Sequence, residues 1–280
     1  MKFSLRSSFA PVCVGLSLLL SGWGHAAPII YDIDSFPDPT WSVMPYSGNA
    51  NNRPYANTVE MYGKTWINIY RGTSPDKPAN SAQIIYNGGS KSSSSGNPIK
   101  DDAVNQFGDL KGSLIIAADN WSAFYGVVMR SAAADFATAE AYHLGISSSN
   151  SLVLVWGAGS GFVSDGTTLA SKTLTGLLPM NANANHQYLL EFSFIGMTLK
   201  ASLFEWNTVT DQKGDLLGNL SYTDDRAEAR ATGYFGIRGG RYGSNRQGYF
   251  REVEFEAIPE PSTALLLLPI GALLLVKRRL

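Results

Sequence analysis

From Gly112 to Ala257, apolar and polar residues alternate with a period of two, in short runs cut apart by Gly, Asn, Asp and Ser. That period sends successive side chains to opposite faces of an extended strand, so one face can be buried and the other wetted. In 187–195, Tyr188, Leu190, Phe192 and Phe194 share a face; in 248–257, Val253 and Phe255 oppose Glu252, Glu254 and Glu256. The pattern predicts strands near 113–118, 123–130, 140–147, 151–156, 167–174, 187–195, 197–205, 233–238 and 248–257, with a tight turn at Ile195-Gly196-Met197. Between the two ends of the chain, no run of ten residues holds a clear 3.6-residue period. Closely spaced short strands of this kind predict an all-β chain folded as a two-sheet antiparallel β-sandwich.

The N-terminal third is less regular. Residues 31–36 read as an edge strand, and Lys64–Arg71 and Ala82–Tyr86 as further strands. Ser47–Tyr55 and Gly88–Asn97 read as exposed loops of the same domain, because 28–100 hold too few strong strands for a separate core.

Both ends carry addresses rather than fold. Lys2 and Arg6 precede an apolar stretch from Pro11 to Leu20 and the small residues of Gly24-His25-Ala26. This is the layout of a secretory signal peptide cut after Ala26. At the other end, Pro259-Glu260-Pro261 precedes an uncharged run from Ala264 to Val276 and the basic stop Lys277-Arg278-Arg279. As a helix, 261–276 would span roughly 24 Å, short of a ~30 Å hydrocarbon core but within reach of local thinning and snorkelling. The basic stop holds that end in the cytoplasm.

This tail resembles the PEP-CTERM sorting signal of exported proteins in exopolysaccharide-making Gram-negative bacteria. The resemblance implies export across the inner membrane, transient anchoring by the tail, and recognition near Pro259-Glu260-Pro261 by an exosortase. The destination it implies is the cell surface or extracellular matrix. The expected organisation is a signal peptide over 1–26, a β-sandwich domain over 27–258 and a sorting tail over 259–280. Signal peptidase and exosortase are the expected partners during export.

Cleavage after Ala26 removes Cys13, the one cysteine, and with it any disulfide, thiol nucleophile or thiolate metal site. The two ends hold five of the 22 basic residues; the remaining 17, against 22 acidic residues without Glu260, leave a net charge near −5. An acidic module of this kind does not suit nucleic acid, whose phosphates need clustered Lys and Arg.

The order of strand types from about 110 to 258 also resembles the concanavalin A-like and laminin G-like jelly rolls. It is carried by Tyr125–Arg130, Ala141–Ile146, Leu152–Trp156, His186–Phe192, Gly196–Ala201, Gly233–Arg238 and Phe250–Phe255. The resemblance implies that the first and last strands pair, setting 30–36 beside 248–257.

Candidate chemistry is sparse. Glu252, Glu254 and Glu256 have the spacing of the carboxylates in laminarinase-like enzymes of this fold. Their alternation with Val253 and Phe255, however, is what a solvated outer face produces. The mature chain holds two histidines, His143 and His186, without zinc-ligand spacing. His143 could join Arg130 and Arg238 on a concave ligand face. The loop 239–248 presents Arg241, Tyr242, Asn245 and Arg246 between two strong strands, an aromatic ring beside planar polar groups suited to sugar hydroxyls. Trp66 and Trp156 read as core, whereas Trp41, Trp121 and Trp206 lie near turns as candidate stacking platforms. No catalytic residue or cofactor is assigned. Calcium is the one candidate ion, at Asp101-Asp102, Asp119-Asn120 or Asp224-Asp225, none with the spacing of an EF-hand loop.

Three functions follow in order. The first is a non-catalytic surface or matrix protein that binds polysaccharide. The second is a polysaccharide-degrading enzyme of the same fold, and the third is a structural or adhesive matrix subunit with protein partners.

Overall fold

The computed structural model describes residues 28–34, 41–44, 54–71, 82–86, 106–118, 124–132, 139–147, 149–158, 166–174, 186–239 and 248–258. The signal and the sorting tail lie outside these residues. Among the described residues, fifteen strands run in chain order. They are β1 (Ile29–Ile30), β2 (Trp41–Met44), β3 (Pro54–Met61), β4 (Lys64–Arg71), β5 (Ala82–Tyr86), β6 (Leu110–Ala118), β7 (Tyr125–Ser131) and β8 (Glu140–Ser147). There follow β9 (Ser151–Ala158), β10 (Thr167–Thr173), β11 (Gln187–Ile195), β12 (Thr198–Asn207), β13 (Gln212–Thr223), β14 (Tyr234–Gly239) and β15 (Gly248–Ala257).

The strands form two sheets with antiparallel pairing throughout. The eight-stranded sheet runs β13-β12-β11-β6-β15-β4-β3, with β1 also on β15; the seven-stranded sheet runs β10-β9-β8-β7-β14-β5-β2. The fold is the all-β, two-sheet sandwich that the alternation predicts.

The core lies between the inner faces and is built as the period of two dictates. Tyr188, Leu190, Phe192 and Phe194 of β11 and Leu199, Ala201 and Leu203 of β12 meet Tyr142, Leu144 and Ile146 of β8 and Leu152, Leu154 and Trp156 of β9. Near the chain ends of the sandwich, Phe255 packs on Phe235 at 4.5 Å between ring centroids. A fully buried ring such as Phe255 contributes about 3 kcal/mol by removing its apolar surface from water.

The structure differs from expectation at four places. The predicted edge strand over 31–36 is only Ile29–Ile30, paired with Phe255 and Glu254. After it Asp32 accepts a hydrogen bond from the Asp34 amide at 3.2 Å, a local turn that competes with the ladder. Strand β3 occupies part of the predicted 47–55 loop; its first residue, Pro54, is tolerated because the strand lies at the sheet edge. Trp41 is no exposed platform: it starts β2, is 4% exposed, and packs against Tyr31, Phe235 and Phe255. Strand β13, twelve residues long, was not predicted, because its first five residues are exposed and lack alternation. The turn at Gly196-Met197 is where expected, with Gly196 at φ 55°.

Register fixes which end of the sandwich each feature occupies. Trp206 lies opposite Gln187, Gln187 opposite Ala117, and Ala117 opposite Tyr249. The start of β15 is therefore level with the β12–β13 hairpin. The exit at Ala257 lies at the other end, roughly 25 Å away at ~3.3 Å per strand residue.

Candidate functional site

On the outer face of the seven-stranded sheet, the structure brings His143 and Arg238 together. Both are buried, at 0% and 1% exposure. Arg238 Nη1 donates to His143 Nδ1 at 3.1 Å, and His143 Nε2 donates to the Gly157 carbonyl at 3.1 Å. A guanidinium has no lone pair to offer, so Nδ1 is the acceptor and the ring is neutral. Burial, and then the Arg238 charge, push the imidazole well below its ordinary value; burial likewise lowers Arg238. The two side chains meet across β7, where Arg238 of β14 pairs with Gly126 and His143 of β8 with Val128. Phe124 stands edge-on to His143 at 6.5 Å and packs with Val153 and Val155.

Arg130 does not join them. It sits at φ 50° on β7, opposite a register shift in β14, which turns its side chain toward the end of the sandwich. There it donates to the Gly108 carbonyl at 3.1 and 3.2 Å and to the Arg230 carbonyl at 3.0 Å. Its guanidinium lies 3.7 Å from the centroid of Phe194 and 3.5 Å from Asp109. Asp109 also accepts the Gly196 amide at 2.7 Å, tying the β11–β12 turn to the same post. At 3% exposure Arg130 fastens turns and is not an open ligand contact.

Nearby, Asp224 and Tyr142 form a second latch. Tyr142 donates to Asp224 Oδ2 at 2.6 Å, while Arg226 reaches both oxygens of Asp224, at 2.8 and 2.6 Å. The Asp224 carboxylate is fully buried and occupied by these partners. Of the Asp-rich clusters considered for calcium, Asp101-Asp102 and Asp119-Asn120 lie outside the described residues. Among the described residues, no three His, Cys, Asp or Glu side chains converge as a metal set. Arg241, Tyr242, Asn245 and Arg246, like Ala26, Pro259, Glu260, Pro261, Lys277, Arg278 and Arg279, fall outside the described residues, as does Trp121.

The outer face of the eight-stranded sheet is organised around Arg251. It lies over the Trp66 and Trp206 rings, donates to Asp211 Oδ1 at 2.5 Å, and also pairs with Glu252. Asp211 accepts from Lys64 at 2.6 Å and from the Trp206 indole N–H at 3.0 Å as well. The Lys64 hydrogen bond, with those from Trp206 and Arg251, outweighs burial and holds the Asp211 carboxyl well below the usual range. Beneath this arrangement Trp66, Ile115, Ala117, Leu189 and Tyr249 form a buried apolar patch. The run Glu252, Glu254 and Glu256 stays on this face as predicted: Glu252 on Arg251, Glu256 on Lys111 at 2.8 Å, and Glu254 in solvent.

Beside Trp206 a cleft of ≈ 420 Å³ opens between the start of β11, the end of β12 and the start of β13. Its lining includes His186, Gln187, Glu205, Trp206, Asn207 and Asp215. It opens where the β12–β13 ladder is irregular: Trp206 pairs with Lys213 and Phe204 with Leu216, so Gly214 and Asp215 together face Glu205. A bulge of this kind re-aims side chains. From the sequence Glu205 reads as isolated and the hairpin is invisible; the available signal is the turn sequence Asn207–Thr210 followed by Gly214-Asp215.

No family model matches the chain, and no curated protein does. Among solved structures, the chain is similar in fold to a lectin from Bauhinia forficata in complex with GalNAc (11% identity, TM-score 0.39, 77% of this chain and 96% of that one). It is similar to the CBM2 module of the evolved Dit of Lactobacillus casei phage J-1 (13%, 0.42, 84% and 98%). A family 7 alginate lyase in complex with substrate is a third (8%, 0.45, 81% and 97%).

Proposed function

We propose that this chain is an exported protein of the cell surface or extracellular matrix whose β-sandwich binds polysaccharide without cleaving it. In this reading signal peptidase releases the chain at Ala26. The tail over 259–280 then holds it in the membrane until an exosortase acts near Pro259-Glu260-Pro261.

One relationship carries the reading. The strand that leads into the tail, β15, begins at the end of the sandwich where the Trp206 cleft opens. It leaves at the opposite end, where β1 also pairs. In this reading the tethered domain turns its cleft away from the anchor. The carboxylates of Glu252 and Glu256 are paired to cations on an outer face, and Asp224 is locked under Arg226, which suits a scaffold more than an acid–base pair.

The test is a titration of the full-length chain, purified from the envelope of the producing cell, against that cell's own polysaccharide, with and without calcium. Polymer length is followed in the same mixtures. Saturable binding with intact polymer is expected. Shortened polymer would make the chain an enzyme, and no binding would overturn the polysaccharide assignment. Replacing Pro259, Glu260 and Pro261 by alanine is expected to trap the chain in the inner membrane; unchanged delivery would overturn the sorting assignment.

A further inference from the structure

We propose that the cleft beside the β12–β13 hairpin is the sugar subsite, and that it takes an uncharged hexose unit of a polysaccharide; this rests on the polysaccharide-binding reading.

Three observations converge there. The first is a fixed aromatic ring. The Trp206 indole N–H is held by Asp211 at 3.0 Å, and the Arg251 guanidinium lies 5.3 Å from its ring centroid. A ring already immobilised loses little freedom when a ligand stacks on it. Indole gives the C–H face of a hexose a broad π surface.

The second is a mixed set of donors and acceptors. Asn207 Oδ1 accepts the amides of Val209 and Thr210 at 2.9 and 3.0 Å, which fixes the side-chain amide and leaves its NH₂ as the donor end. Gln187 forms part of the wall; it is buried, and its Oε1 faces the Arg251 guanidinium at 3.4 Å. Glu205 and Asp215, both exposed, offer carboxylate acceptors that suit vicinal hydroxyls. The same two carboxylates repel a uronate, so the pocket selects by charge as well as by shape.

The third is that the opening is built into the backbone. Gly214 faces Glu205 across the bulge, and a Cβ there would lie 3.0 Å from the Glu205 carbonyl oxygen. A side chain at 214 would push the ladder apart or close the cleft. The exposed hairpin tip, with Val209 at 93%, stands next to the opening.

The experiment titrates the full-length chain with neutral hexamers of glucose, mannose and galactose and with a hexamer of mannuronate. It reads heat and tryptophan emission. At least one neutral hexamer is expected to bind and to perturb emission, with the uronate at least tenfold weaker. Trp206→Phe, which loses the Asp211 hydrogen bond and the broader indole face, is expected to weaken binding about tenfold and to remove that emission change. Glu205→Gln and Asp215→Asn, each checked for native near-UV dichroism, are expected to weaken neutral binding by tenfold or more. Uronate binding as tight as the neutral sugar would overturn the proposal. So would unchanged binding in both carboxylate variants; if Tyr242→Ala then abolished binding, the site would move to the 240–247 loop with the general reading intact. A chain that bound neither the hexamers nor the host polymer would end both.

Discussion

Trp66 and Trp206, four places apart in the sheet order, both lie against the Arg251 guanidinium, with ring centroids at 5.2 and 5.3 Å. Neighbouring strands stand ~4.8 Å apart, so Arg251 on β15 lies beside β4 and reaches across β6 and β11 to meet Trp206 of β12. Asp211 closes the arrangement by accepting from Arg251, Trp206 and Lys64 at once.

Removing Asp211 tests that closure. Asp211→Ala strips three donors of their acceptor and leaves Arg251, whose side chain is 6% exposed, with the exposed Glu252 as its remaining counter-charge. Breaking a buried pair costs about 3–5 kcal/mol. The Asp211 side chain is 35% exposed, so water replaces part of the loss and about 1–2 kcal/mol is expected. Urea unfolding of the variant measures it, and an unchanged midpoint would mean that the three contacts contribute nothing net.

The Asp224 latch sets an acid limit and an alkaline one. Burial alone would raise the Asp224 carboxyl, but hydrogen bonds from Arg226 and Tyr142 outweigh it and bring the value to about 2. A carboxylate depressed in the fold stabilises it above the unfolded value near 4, and the contribution of about 2 kcal/mol fades as pH falls toward 2. Burial, with the Asp224 hydrogen bond, raises the Tyr142 hydroxyl to about 12. Its contribution is intact below the unfolded value near 10 and is lost between 10 and 12. Asp224→Asn is therefore expected to flatten the stability–pH curve between 4 and 2, and Tyr142→Phe the curve between 10 and 12. Parallel curves for variant and wild type would contradict the assignment.

His143 gives a third pH signature. Its folded value lies well below the ordinary 6.5 because burial and Arg238 disfavour the imidazolium. The unfolded chain takes up a proton there first, so stability is complete above pH ~6.5 and declines as the pH falls below it. The His143 ring NMR signals of the native protein are expected to stay constant from pH 8 to 5. A His143→Gln variant, able to accept from Arg238 and donate to Gly157, is expected to lose the dependence. Titration of the native ring near 6.5 would be incompatible with the buried pair.

Gly126 sits at a closest approach of two strands. A Cβ there would lie 2.1 Å from the Leu144 carbonyl oxygen and 2.6 Å from the Gly145 Cα. The obstacle is backbone, which cannot rotate aside, so Gly126→Ala is expected to cost about 3 kcal/mol or more, at or beyond the upper end for overpacking. Thermal unfolding would show it, together with a disturbed environment for His143, whose pairing with Arg238 crosses β7 at this point. A variant as stable as wild type would place real slack between β7 and β8.

The sequence makes visible what local alternation encodes. Strands β4, β5, β8, β11 and β15 have the boundaries that the pattern predicts, because each alternates or runs apolar between turn residues. It hides β13, since the first five residues of this edge strand are all exposed and the alternation begins only at Gly218. His143 and Arg238 fall together because both keep the regular parity of their strands, but they are buried against each other rather than open on a ligand face. Arg130 departs because positive φ and a slipped register change the direction of one side chain, and neither leaves a trace in composition. The same holds for the Trp206 cleft, whose cause is a bulge between two strands rather than a motif within one.

The pairing of β1 with the end of β15 has a mechanical corollary. Ile29 and Ile30 sit beside Phe255 and Glu254, and the Ile258 amide bonds the Asp109 carbonyl at 2.9 Å just before the chain departs. A pull along that exit runs down β15 against its ladder with β6. The antiparallel hydrogen bonds then carry the tension side by side instead of opening one after another. Force on the tail is thus resisted in shear by an interior strand of the larger sheet, while the far end of the molecule keeps its shape under strain.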